Sequence, residues 1–186
     1  MARDIDIVIR DETVRRLQER LRAFPRGWPK AASRAINRTA TKARTRITRR
    51  LKDATKLRAT DIRQRMRLHR AKAARLAASL VILGTRIPLI RFGARQTGKG
   101  VTFRDVLHGG RVLAPHRFIQ RMPSGHRGVF RRLHRSRLPI REHYGLPLTS
   151  VFDRTPQLAA QELEAANADL EARLVHEVDH LLESGK

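Results

Sequence analysis

Five residues near the end of the chain, His176-Glu177-Val178-Asp179-His180, spell the helix of a zinc hydrolase. In that arrangement two imidazoles one turn apart hold the metal, and the glutamate activates a bound water. The surroundings do not complete such a site. Only six residues follow, so no third ligand is expected at the usual distance. Val178 falls on an apolar stripe, which puts both histidines on its flanks. His69, His108, His116, His126, His134 and His143 lie among arginines and suit solvent or phosphate contact. No serine stands in a G-x-S-x-G elbow. Between residues 20 and 141 the only carboxylates are Asp53, Asp61 and Asp105, too few for paired acid–base or two-metal chemistry. Gly98-Lys99-Gly100 has the composition of a phosphate loop, but no helix follows it, and it reads as a turn. No enzyme, cofactor or metal is expected.

The chemistry the chain does hold in quantity is anion binding. Its 41 Lys and Arg against 17 Asp and Glu give a formal charge of +24. Most of these cations are arginines, which suit bidentate contact with phosphate or carboxylate. The charge is segregated. Residues 20–141 hold 34 basic residues and three acids, whereas residues 157–186 hold seven acids and two bases. A basic body with an acidic tail points to nucleic acid, to acidic protein surfaces, or to both. The tail is itself suited to dock on a neighbouring copy's basic face. Six Phe, one Trp and one Tyr are too few for a base-stacking single-strand binder. No cysteine is present, which excludes disulfides and cysteine-ligated metals. The acids of MARDIDIVIRDE replace the apolar run of a signal peptide. No stretch approaches the ~18–20 apolar residues of a membrane span, so no membrane partner is expected.

These cations need an element to carry them, and Trp28 to Leu57 is the principal one. Ala32, Ile36, Ala40, Ala43, Ile47, Leu51 and Ala54 recur in steps of three and four, the signature of one helical face. Pro29 fits the first turn. The other faces carry Arg34, Arg38, Lys42, Arg46, Arg49 and Arg50, the candidate contacts to nucleic acid or to an acidic partner. No acid lies between Glu19 and Asp53, so the helix cannot neutralise itself. Like charges at i, i+4 destabilise a helix by about 0.2–0.5 kcal/mol each, so packing or a polyanion must offset them. A charge run on its own is ordinarily a solvated face; the charge of the whole body argues for more.

Ahead of this helix, residues 4–10 alternate as a half-buried strand with Ile5, Ile7 and Ile9 on one face. Val14, Leu17 and Leu21 mark a short helix ending before Pro25. Behind it, Thr60 caps a second helix start after a break at 52–59. A DNA-reading helix–turn–helix is disfavoured, because no short glycine-bearing turn joins the two. From Ala74 the period changes to that of strands: 76–83, 87–92, and a hairpin of 101–103 closed by the turn at 96–100. Residues 112–119 and 128–133 follow, with a turn at Pro123-Ser124-Gly125 between them. A linker at 146–155 leads to a helix opened by Pro156. Its stripe is Ala159, Leu163, Ala166, Leu170, Leu174, Val178 and Leu181, with heptad-like spacing suited to another helix in the same chain or a neighbour. Leu163, Leu170, Leu174 and Leu181 are the candidate oligomer contacts.

The expected fold class is α+β, a long basic helix packed on an antiparallel sheet, with a C-terminal heptad-like helix. Residues 1–150 form a basic α+β domain, with an N-terminal strand and helices over 1–73 and a strand-rich half over 74–145. Residues 151–186 form an acidic C-terminal helix.

Two stretches resemble the phage minor tail protein Z family. One is Ala35-Ile36-Asn37-Arg38-Thr39-Ala40 with the basic helix that follows, up to Thr60-Asp61-Ile62-Arg63. The other runs from Val129-Phe130-Arg131-Arg132 through Leu138-Pro139-Ile140 to Tyr144-Gly145 and Val151-Phe152. Leu146 departs from the turn expected after Gly145. The resemblance implies a structural virion protein made in the host cytoplasm. It would act in tail completion or head–tail joining, at the head-proximal end or neck. Related proteins form rings, often of six copies, around the DNA channel. Its implied partners are copies of itself, other tail or neck proteins, and phage DNA through non-specific phosphate contact. A second reading, a cellular sequence-independent nucleic-acid-binding protein of ribosomal or nucleoid type, fits the charge equally. It fits the hairpin-rich half and acidic tail less well.

Overall fold

The structure is a computed structural model, and it describes residues 3–8, 27–106, 109–154 and 156–184. The short helix expected around Val14–Leu21 lies outside these residues, as do the side chains of the first strand. The fold is α+β, with a long helix on an antiparallel sheet and a second long helix at the C-terminal end.

Helix α1 spans Trp28–Thr55, with Gly27 as N-cap and Pro29 in the first turn. Six of its seven expected apolar positions are buried, from Ala32 to Leu51. The seventh, Ala54, is exposed and Thr55 is buried instead. From Leu51 the step that keeps the face is four residues, not three. Four of the five threonines of this helix satisfy themselves locally: the hydroxyls of Thr41, Thr45, Thr48 and Thr55 donate to carbonyls one turn back. Lys56 ends the helix in the left-handed region, φ 55°, and its N–H donates to Lys52 O at 2.8 Å. That turn needs no glycine, which is why the sequence shows only a vague break there.

The next helix, α2 (Ala59–Arg63), is five residues long and begins after Arg58, not at Thr60. It buries Asp61 and Ile62 and passes directly into a strand, so the pair is not a helix–turn–helix. The first sheet has the order β1-β3-β2, from Arg3–Val8, Ala77–Ile82 and Met66–His69, all antiparallel. α1 lies across β2 and β3. In β3, Ala78, Leu80 and Ile82 point into the core and alternate with half-buried neighbours.

The strand-rich half forms two further sheets, β4-β5-β6 (Arg95–Thr97, Gly100–Arg104, Arg111–Pro115) and β7-β8-β9 (Arg117–Arg121, Arg127–Arg132, Ile140–Glu142). Two expectations are corrected here. The run 87–92 is not a strand but leads into a 3-10 turn at Leu89–Phe92. Pro88 has no N–H to give a ladder, and Leu89 and Phe92, three apart, are buried together. Residues 112–119 are two strands, broken at His116, whose φ of 58° turns the chain into the next sheet. Gly100 is required at the β4–β5 turn. Its φ is 146°, and a side-chain carbon there would sit 2.3 Å from Ala114 O.

The expected linker contains a helix, α3 (Thr149–Arg154), preceded by the fully buried Leu148. Helix α4 (Pro156–Ser184) then lies along α1. Two groups of side chains form the core. Alanines of α1 with Ile36 meet Ala166, Leu170 and Leu174 of α4. Ile47 and Leu51, at the other end of α1, join Leu80, Ile82, Ile87, Phe92, Val101, Val129 and Leu148. The small side chains of the first group let the two helices approach closely. The large ones of the second group tie the helix to all three sheets.

Candidate functional site

The six cations singled out on α1 do not form a bare surface. Glu177 of α4 accepts from Arg34 at 3.1 Å and from Arg38 at 3.0 Å. Asp169 pairs with Lys42 at 2.5 Å and with Arg46. Glu162 pairs with Arg46 and Arg50, each at 2.9 Å. Five of the six cations thus face a carboxylate, and only Arg49 has no partner among the described residues. The helix does not neutralise itself; the offset comes from packing against α4. Its acids come from the far end of the same chain, 143 residues away in sequence for Arg34 and Glu177 and 116 for Arg46 and Glu162.

The pairing follows from helix geometry. α4 runs antiparallel to α1, so acids spaced seven and eight residues apart meet cations spaced four apart in reverse order. Glu162 is fully buried, and its carboxylate bridges two guanidiniums. For Asp169, desolvation pushes the carboxyl pKa up, but hydrogen bonds from Lys42 and Arg46 outweigh it and hold the group below its ordinary range. Arg46 loses solvation too, yet the same two acids raise it above its ordinary value. Three carboxylates against five cations leave the seam positive.

The leucines expected at an oligomer contact divide. Leu170 and Leu174 are buried against α1, so their side chains are spent within the chain. Leu163 is 37 % exposed, because the neighbouring Glu162 takes the inward position. The side chain of Leu181 lies outside the described residues. His176 and His180 are exposed, and the Glu177 between them is engaged by Arg34 and Arg38. Among the described residues no group of three or more His, Cys, Asp or Glu is placed to hold a metal.

The sequence motifs have structural work. Asn37 is a clamp: its Nδ2 donates to Ala71 O at 3.0 Å and its Oδ1 accepts from Ala71 N at 2.8 Å. Those bonds fix the β2–β3 connection on α1. Gly145 lies against the Phe92 ring, where an added side-chain carbon would come within 2.5 Å of Cε2. The Tyr144 hydroxyl donates to Glu142 Oε2 at 2.9 Å, a bond that raises its pKa. His126 shares Glu142 at 2.9 Å. Desolvation, with Arg117, Arg131 and Arg141 nearby, lowers the pKa of His143, so it adds no charge at neutral pH.

Elsewhere in the strand-rich half the basic charge stands open. Residues 86–142 hold fourteen Lys and Arg against two acids, Asp105 and Glu142. Arg121, Arg127, Arg131, Arg132 and Arg141 are exposed on the β7-β8-β9 sheet and face no carboxylate among the described residues. Sequence reasoning gave these residues no special weight, because strands separate them and no single periodicity collects them.

What the described residues bring together is charge: a paired seam between α1 and α4 and an open arginine surface on β7–β9. The family described as Prophage minor tail protein Z (GPZ) matches residues 11–183. The chain belongs to that family of phage minor tail proteins, and its role is a structural one in the virion tail. No curated protein and no solved structure matches the chain. No helix among the described residues is long and apolar enough to cross a membrane.

Proposed function

We propose that the protein completes the tail at its head-proximal end, as a ring of identical copies around the DNA path, joined to neighbouring tail or neck proteins. Six copies is the arrangement its resemblance implies. The observation that carries this reading is the open arginine surface of the strand-rich half. Like charges on neighbouring strands repel, and no described acid offsets them. A channel holding DNA supplies the missing anion as a regular array of phosphates. Contact of this kind is independent of sequence, because no side-chain pattern here reads base edges.

In this proposal the phosphate contacts fall mainly on β7–β9. The cations of α1 add to the field through their surplus. Duplex binding titrated against salt tests the assignment. Each phosphate neutralised contributes about −0.9 to the slope of log K against log salt. Replacing Arg121, Arg127 and Arg131 with glutamine is expected to flatten that slope by about 2.7. Replacing Arg38, Lys42 and Arg46 with glutamine is expected to lower stability and change the slope less. The reverse ranking assigns the phosphates to α1. Absence of duplex binding by the assembled protein at low salt assigns the charge to acidic tail proteins.

A further inference from the structure

A cleft of about 740 Å3 lies in the strand-rich half, between β6 and the segment after β9. Leu89, Phe92 and Phe103 are among its lining residues, and at its mouth Val112, Leu113, Tyr144 and Leu146 are 36–48 % exposed. These four are half of the large hydrophobic side chains exposed among the described residues, gathered in one place. Isolated exposed apolar residues are ordinary, but a cluster of them around a cleft marks a docking site. Arg86 and Arg104 line it without a carboxylate partner among the described residues, and Arg117 lines it with a bond to Pro115 O. Asp105 is the one acid among the lining residues. The occupant must therefore be apolar and acidic. β6 is also an edge strand, so nothing in its own sheet covers this side.

The chain carries a surface of that chemistry. On the face of α4 turned away from α1, Glu164, Glu171 and Val175 fall on one line at i, i+7 and i+11. Ala160 and Ala168 lie beside that line and are exposed, leaving room for close approach. Val175 is 41 % exposed. Glu164 and Glu171 are exposed and pair with no described cation. α4 is held on α1 by its opposite face, so this line points away from the body and cannot reach the cleft of its own chain.

We propose that the outer face of α4 seats in the arginine-rimmed cleft of a second copy, with Glu164 and Glu171 meeting Arg86 and Arg104 and with Val175 covering Val112, Leu113 and Tyr144. The two surfaces differ, so the contact is head-to-tail, and such a contact closes into a ring when its rotation allows. The inference rests on the ring reading above and names the surfaces that build it.

Charge reversal tests it. Sedimentation velocity on the full chain is compared for the parent, for Glu164→Lys with Glu171→Lys, for Arg86→Glu with Arg104→Glu, and for all four together. The expected result is an oligomer for the parent, at least tenfold weaker association for each reversed pair, and recovery of the oligomer when the two are combined. Val175→Asp, an exposed change whose folding is checked by circular dichroism, is expected to weaken association as well and serves if either reversed pair fails to fold. An oligomer unchanged in both reversed pairs, or in Val175→Asp, places the contact elsewhere and overturns this inference while the ring reading stands. A parent that stays monomeric at every concentration overturns the ring reading itself.

Discussion

On α1, Arg34, Arg38, Lys42, Arg46 and Arg50 each face a carboxylate of α4, whereas Arg121, Arg127, Arg131 and Arg141 of the β7–β9 sheet face none among the described residues. The two regions hold similar excesses of arginine and handle them differently. Along α1 the i, i+4 repulsions of about 0.2–0.5 kcal/mol each are offset within the chain, by acids delivered on an antiparallel helix. In the sheet the repulsion is left in place. That acids are supplied to one basic element and not, among the described residues, to the other is what supports the proposal of an external anion at the sheet. Charge count alone does not separate the two cases; what separates them is which element the acids are folded against.

The comparison can be broken most severely at the core beneath α1. Ile47 is 1 % exposed and joins the helix to the sheets. Ile47→Asp would bury a carboxylate with no partner, and we expect a loss of several kcal/mol, enough to unfold much of the population. Thermal melting checks it. A variant melting like the parent would mean that α1 is not core, and the seam with α4 would then have no fixed base.

A smaller effect separates two glutamates on one helix. Glu162 is buried between Arg46 and Arg50, and Glu164, two residues on, is exposed. Removing one partner from a fully buried ion pair costs about 3–5 kcal/mol. Here the guanidiniums are 26 % and 46 % exposed, so water takes up part of the loss. We expect about 1–3 kcal/mol for Glu162→Ala and less than about 0.5 kcal/mol for Glu164→Ala, by denaturant titration. Equal effects would show that the acids act only through net charge and not through the pairing.

The sequence carried much of this fold and less of the site, for identifiable reasons. The stripe from Ala32 to Leu51, the β3 strand, the hairpin at Gly100 and the start of α4 at Pro156 were all legible, because local period and turn chemistry specify them. Strands β2 and β9 and helix α3 are three to six residues long, too short for a period to stand out. Met66 and Leu68 do alternate with Arg67 and His69, a signal hidden by the helix start just before them. Leu163 was read as part of the inward stripe because it is the apolar letter at that turn. The buried residue is Glu162, since two arginines across the seam make a carboxylate the better fit. The seven- and eight-residue spacing of Glu162, Asp169 and Glu177 was present in the sequence. Its meaning depended on knowing that α4 runs antiparallel to α1, which is a tertiary fact.

The gentlest probe of the comparison is acid. Asp169 loses solvation in the seam, but its bonds to Lys42 and Arg46 more than compensate and hold its carboxyl below the ordinary value of 3.8. A carboxyl with a depressed folded pKa contributes stability that is fully present above its unfolded value. That contribution is lost as pH falls through the lower folded value. The seam should therefore be insensitive to pH from neutrality down to about 4 and should loosen below it. The β7–β9 sheet has no such pairing among its arginines and should not share that dependence. Asp169→Asn removes the titrating group. We expect it to lose about 0.5–1 kcal/mol at neutral pH, the range of a partly exposed pair, and to show a smaller further loss on acidification. Hydrogen exchange of α4 amides, followed from pH 7 to pH 3 and corrected for the intrinsic rate, reads the seam directly. If the parent and the asparagine variant lose protection in parallel, Asp169 is not what fastens α4, and the pairs of Glu162 and Glu177 carry the seam without it.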